Sequence, residues 1–218
     1  GMVGSPIRTT VLSARIIPNA DPALRAALHA PETHRSLGIF TTDCDDVSYA
    51  ALDEATKKAD VRVVYARSMY AGAANASTAL AGEFIGILSG AGPSDIRSGL
   101  DAAIRYAQKE ACFYSANDAD TVVYFAHTIS RTGSYLSALA HVPEGTAMAY
   151  LIAPPLEAMV GLDSAMKAAE VTMNVFYGPP SETNFAGGLL TGSQAACKAA
   201  CEAFAQSVRA IAADPMTY

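Results

Sequence analysis

The chain has 218 residues, a net charge of −6 and four cysteines. Its composition is apolar, 51% hydrophobic and only 17% charged, with a mean hydropathy of +0.20 and a pI near 5.1. No block of Lys and Arg exists, which excludes the basic footprint of a nucleic-acid binder, and every apolar run is shorter than the ~20 residues that cross a bilayer. The N-terminus lacks a charged region leading into an apolar stretch, so no secretory leader is read there, and Gly1 ahead of Met2 reads as an added residue. Large exposed apolar patches are rare on monomers, so a composition this apolar implies that surface is hidden in subunit contacts as well as in cores.

In chain order, Val11–Ile17 is β-branched and bounded by Pro18-Asn19, which predicts a strand, and Ala23–Leu28 is a short helical patch. Leu37–Phe40 (LGIF) is a buried strand, and Ser48–Ala59 is a helix with Leu52, Ala55 and Ala59 at helical spacing. Val61–Tyr65 is a strand, Ser68–Ala81 a small-residue stretch without period, and Glu83–Leu88 a strand. Gly90–Pro93 is a turn, and Ser94 is the expected N-cap of a helix carrying Ile96, Leu100, Ala103, Ile104 and Ala107 on one stripe. The same order then returns: strand Thr121–Phe125, helical patch Tyr135–Leu139, strand Ala149–Ala153, helix Met159–Ala169 and strand Val171–Tyr177. The loop Gly178–Gly187, with Pro179 and Pro180, leads into a strand from Gly188 and a last helix with Cys197, Cys201, Phe204 and Val208 on one stripe.

The order returns because the sequence does. LDEATKKADV at Leu52–Val61 and LDSAMKAAEV at Leu162–Val171 agree at six of ten positions, at an offset of 110 residues. Interleaved strands and helices predict α/β modules with helices against a sheet. The period is domain-sized, which argues against a solenoid, and predicts two domains, 1–112 and 113–218.

Catalytic motifs are missing: no G-x-S-x-G, no P-loop, no H-E-x-x-H, and no G-x-G-x-x-G after a strand. The scattered cysteines do not have metal-site spacing and read as small buried hydrophobes. His29, His34 and His141 have no partner spacing. Asp43, Asp45 and Asp46 form a dense acidic group after the LGIF strand. Adjacent carboxylates repel unless they are solvated, sit at a helix start or meet a cation. Helix capping and a site for a small cation both stand as readings.

LGIF, a helix ending in K-A-x-V, a strand, a small-residue loop, G-E-x-x-G-I-L-S-G and a helix resemble the domain of bacterial microcompartment shell proteins. VLSARIIPN, similar to a segment that normally ends that domain, comes first here, which resembles the circularly permuted variant. DCDDVSYAALDEATK, VVYARSMYAGA, SRTGSYLS, APPLEAM, PPSETNFAG and LTGSQAACKAAC extend the resemblance to tandem permuted shell proteins of ethanolamine utilisation, from about Arg8 to Pro215.

The resemblance implies two tandem permuted domains, each a small antiparallel-type sheet flanked by helices. It implies a pseudohexameric homotrimer that tiles with other shell proteins in a microcompartment of the bacterial cytoplasm, with no enzymatic activity and no required cofactor. Lys57 and Lys167, 110 residues apart, match the family's edge-contact lysine; solvated lysines are the plainer reading of each alone. The loops 68–81 and 178–187 would frame a gated central pore, with Tyr70, Gly72, Asn75, Pro179, Pro180 and Glu182 at the gate. Asp45, Asp46 and Glu83 match positions that bind ethanolamine at a small pore between the domains, and Phe113, Thr183, Asn184 and Phe185 look like further lining. Carboxylates would take the ammonium of ethanolamine by charge-assisted hydrogen bonds. His127 and Glu157 match positions associated with zinc, although one His and one carboxylate per chain are too few for a closed site. The alternative to a shell protein is a soluble amine-binding or sensor protein.

Overall fold

The computed structural model describes residues 1–69, 80, 82–181 and 183–218. Tyr70, Gly72, Asn75 and Glu182, expected at a pore gate, lie outside the described residues. The described strands are β1 (Pro6–Ile7), β2 (Val11–Ile17), β3 (Ser36–Thr42), β4 (Arg62–Ser68), β5 (Phe84–Gly90), β6 (Phe113–Ser115), β7 (Val123–Ile129), β8 (Ala147–Ala153), β9 (Val171–Tyr177) and β10 (Ala186–Gly192). The described α-helices are α1 (Pro22–Ala27), α2 (Asp45–Lys58), α3 (Pro93–Arg105), α4 (Ser134–Ala140), α5 (Pro155–Ala168) and α6 (Gln194–Ala213). The chain divides into two compact units. The α/β reading holds, and every strand pairing in both sheets is antiparallel.

One unit comprises Arg8–Ala111 with Gly133–Leu136. Its sheet runs β2-β3-β5-β4. Phe40, Phe84 and Leu88 from the central strands and Val47, Leu52, Ile96 and Leu100 from α2 and α3 are buried, while Leu37 packs with Ala20 and Ile87 in a separate cluster. Asp45 and Asp46 in the first turn of α2, with Lys57 and Lys58 in the last, complement the helix dipole. Helix α3 starts earlier than expected. Its N-cap is Gly92, not Ser94, because Pro93 takes the first helical position, where a missing N–H costs nothing. A π-helical turn at Tyr106–Glu110 extends it; no pattern in the sequence announced it.

This unit also contains the fold's deepest carboxylate. Asp53 is 1% exposed. Its Oδ2 accepts the Gly133 N–H at 2.7 Å and its Oδ1 the Leu136 N–H at 2.9 Å. These are N–H groups at the start of α4, which lack helical partners.

The other unit comprises Gly1–Ile7, Cys112–Thr132 and Ser137–Tyr218. Its sheet runs β1-β6-β7-β8-β10-β9. β8 is buried from end to end, as its unbroken apolar sequence AMAYLIA requires. In the adjacent β10, a Cβ on Gly187 would overlap the Leu151 carbonyl oxygen, so close approach of the two strands demands glycine there. Helix α6 buries Cys197, Cys201, Phe204 and Val208 on the predicted stripe, and α5 buries Ala158, Leu162 and Ala165. The four cysteines are free thiols. Ser193 caps α6 by accepting the Ala196 N–H at 3.0 Å. No helix among the described residues is long and apolar enough to cross a membrane.

Candidate functional site

The turn from β3 into α2 is held by hydroxyls. Thr42 Oγ1 lies 2.7 Å from Ser48 Oγ and donates to the Cys44 carbonyl at 2.9 Å, and Ser48 Oγ donates to the same carbonyl at 2.6 Å. Local side-chain bonds of this kind set a turn without help from a ladder. None of the three aspartates is the N-cap residue of α2. The N-cap is Cys44, with no side-chain capping bond. Asp43 instead turns away and accepts the Thr10 N–H at 2.8 Å.

Asp45 and Asp46 are 9% and 7% exposed. Asp45 Oδ1 accepts the Asp46 N–H at 2.8 Å, and Oδ2 accepts from Ser68 Oγ at 2.7 Å. Burial, followed by the charge of Asp46, pushes the neighbouring Cys44 thiol well above its usual range.

Glu83 joins this turn from the far side. Gly82 has φ +64°, and a Cβ there would press on the Thr42 carbonyl at 2.7 Å, so only glycine admits the path. The Glu83 N–H then donates to the Thr42 carbonyl at 2.8 Å. Its half-buried carboxyl is pushed up to about 7, first by burial and then by Asp45 and Asp43. Like charges and partial burial both disfavour a further anion. The structure therefore brings Glu83, Asp43 and Asp45 together, with Asp46 in the same helical turn. Such a group favours a cation able to donate several hydrogen bonds.

The remaining predicted lining residues lie in the other unit. Phe113 is buried, stacks on Phe125 with ring centroids 5.2 Å apart, and meets Phe185 edge-on at 5.9 Å. The Phe185 carbonyl accepts the Ser181 N–H at 3.1 Å, and the Thr183 N–H donates to Ser181 Oγ at 3.3 Å. Asn184 is exposed between them. Pro179 and Pro180 precede this turn, joined by a cis peptide bond.

Lys57 and Lys167 occupy the last turns of α2 and α5. Lys57 pairs with Glu54 at 3.2 Å and Lys167 with Asp163 at 2.8 Å. Both pairs are intrahelical; that of Lys167 is exposed and worth little, whereas that of Lys57 is partly buried.

His127 lies in β7, its ring stacked on Phe125 with centroids 5.2 Å apart. Glu157 lies in the first turn of α5. Among the described residues no group of three or more His, Cys, Asp or Glu side chains could hold a metal ion. His127 and Glu157 alone are too few donors for a closed zinc centre within one chain.

Sequence reasoning missed Thr42, Ser48, Tyr49 and Ser68, which hold the acidic turn. Ser68, expected from the sequence to open a loop, instead ends β4. His34, which has no partner spacing in the sequence, has its Nδ1 2.8 Å from Ser89 Oγ.

Residues 36–119 match the BMC domain family. The bacterial microcompartment shell protein EutL of Clostridium perfringens is 58% identical over 212 residues, which cover 97% of this chain and 98% of that protein. The protein of the same name from Salmonella typhimurium is 50% identical, covering 96% of each. The crystal structure of ethanolamine utilization protein EutL from Leptotrichia buccalis superposes with a TM-score of 0.97 at 61% identity, covering 100% of both chains.

Proposed function

The chain belongs to the bacterial microcompartment shell proteins of the EutL type, and on that footing we propose that it forms a homotrimeric tile which admits a small protonated amine through an acidic site. It is a structural shell component, not an enzyme. The ligand of the proposal is ethanolamine, held by Asp45, Asp46 and Glu83, with Phe113, Thr183, Asn184 and Phe185 as further lining. The observation that carries it is the approach of Glu83 to Asp43 and Asp45. A half-buried carboxyl beside two others is relieved by an ammonium, which supplies a charge and several donors at once.

Two domains per chain and three chains per tile give six similar wedges around one axis. The exposed apolar side chains Leu156 and Val160 on α5, and Phe176 on β9, suit burial against further copies. Pro179 and Pro180 belong to the same proposal, at the rim of a wider central pore.

Light scattering tests the tile. The expected mass is about 68 kDa for three 22.6 kDa chains, followed by flat sheets in electron micrographs at high concentration. A monomer that never forms sheets overturns the reading and favours a soluble amine-binding protein. Lys57→Ala combined with Lys167→Ala is expected to abolish the sheets and leave the trimer mass unchanged. Intact sheets in the double variant remove the edge assignment alone.

A further inference from the structure

We propose that Ser68, backed by Tyr49, is the positioning residue of the amine site, fixing the Asp45 carboxylate in one orientation for the incoming ammonium. The inference rests on the amine-site reading above and adds residues that carry no charge of their own.

The direction of the hydrogen bonds follows from counting protons. Ser68 Oγ lies 2.7 Å from Asp45 Oδ2 and 2.8 Å from Tyr49 Oη. A serine hydroxyl has one hydrogen, and an ionised carboxylate only accepts. That hydrogen goes to Asp45, so the Tyr49 hydroxyl donates to Ser68. Donors in such a chain polarise one another. The other Asp45 oxygen already holds the Asp46 N–H at 2.8 Å. With a fixed donor on each oxygen the carboxylate cannot rotate, and its remaining lone pairs stay free for a ligand.

The supports are themselves rigid. Tyr49 projects from α2 and meets the Phe84 ring edge-on, centroids 5.2 Å apart at 83°. Ser68 pairs with Phe84 in the β4–β5 ladder. One residue beyond that rung, the Met69 N–H donates to the Glu83 carbonyl at 2.6 Å. One end of one ladder thus places both the group that holds Asp45 and the residue that carries the Glu83 carboxyl. Sites built on helices and strands in this way hold their geometry better than sites on loops. Arg67, the cation nearest in sequence, stacks over the Tyr65 ring at 4.6 Å and donates to the Ala66 carbonyl at 2.9 Å. Asp45 and Asp43 bear on Glu83, Asp46 and Asp45 bear on the Cys44 thiol, and the Tyr49 hydroxyl reaches Asp45 through Ser68.

The test is isothermal titration of the intact protein with ethanolamine hydrochloride between pH 6.5 and 8.5. Ser68→Ala is expected to weaken binding about tenfold, the loss of one hydrogen bond to a charged group, and to move the pH at which affinity is half maximal. Ser68→Thr, which keeps the hydroxyl, restores both. Tyr49→Phe, which keeps the ring contact, weakens binding about threefold. A residue serving only the fold would lower stability and leave the affinity of folded protein and its pH profile untouched. Wild-type affinity and an unmoved pH profile in Ser68→Ala overturn the proposal; if that variant does not fold, an unchanged Tyr49→Phe does so. Wild-type protein that binds no ethanolamine removes the amine-site reading and this inference together, whereas wild type that binds while Ser68→Ala matches it removes the inference alone.

Discussion

Glu83→Gln and Asp46→Ala are each expected to weaken ethanolamine binding by about 30- to 100-fold at pH 8 by calorimetry, since a hydrogen bond to a charged partner is worth ~1.5–3 kcal/mol. The Glu83 variant also changes the pH dependence, and the sign is fixed by its environment. Its carboxyl is pushed up to about 7 by burial and then by Asp45 and Asp43. An alkylammonium resembles that of lysine and stays protonated well above this, with a pKa near ~10. Between pH 6 and 8 the ligand's charge is therefore constant while Glu83 gains its own. Wild-type affinity rises across that interval, each binding event releasing up to one proton, and the rise is lost in Glu83→Gln. The unliganded protein behaves oppositely. A carboxyl raised in the folded state contributes stability below its ordinary value, and this is lost as pH rises through about 7. Glu83→Gln should consequently raise the melting temperature at pH 8 in the absence of ligand. Unchanged affinity in both variants removes the site assignment.

What the sequence could announce was set by period. The helix stripe of α6 and the apolar runs of β5 and β8 repeat at spacings that burial imposes, so they were legible; on α5 Leu162 and Ala165 are buried as their spacing predicts, but Met166 on the same expected face is exposed. Boundaries moved where a single residue competes with the pattern, as Pro93 does against Ser94 at the start of α3. One end of the sheet in the second unit was missed because β1 and β6 have two and three residues, too few to show alternation. The acidic site was half legible. Clustered aspartates are visible in any reading, but their approach to Glu83 depends on a ladder between β3 and β5 that joins residues about 40 positions apart. The hydroxyls of Ser68 and Tyr49 gave no signal at all, since an isolated Ser and Tyr at 19 positions' separation match no local motif. The duplication itself proved informative where its copies differ. The first copy has Asp45 and Asp46 at the start of α2, and the second has Pro155 and Leu156 at the start of α5. The shared pattern of each copy makes a sheet with helices against it, and the divergent helix start makes one copy acidic there.

Asp53→Ala is expected to destabilise the protein by about 3 kcal/mol in urea unfolding. Two backbone N–H groups, of Gly133 and Leu136, lose a charged acceptor at once and are left buried. Each such bond is worth ~1.5–3 kcal/mol, and an unsatisfied buried donor costs its full desolvation. Against a total stability of ~5–15 kcal/mol this is a large fraction. Asp53→Asn is expected to recover about half. Its amide oxygen can accept from one N–H, but its NH2 then faces the other, donor against donor. The pH dependence separates burial from hydrogen bonding as the controlling factor. Burial, the larger influence, holds the Asp53 carboxyl above its ordinary range, and the N–H bonds and Lys57 oppose it. A raised carboxyl stabilises most below the unfolded pKa of ~3.9, and that contribution is lost as pH rises through the folded value. The gap between wild type and Asp53→Ala should therefore widen as pH is lowered from 7 toward 4. A gap that narrows instead means that the two N–H bonds outweigh burial, and that Asp53 is held as an anion by the helix start it satisfies.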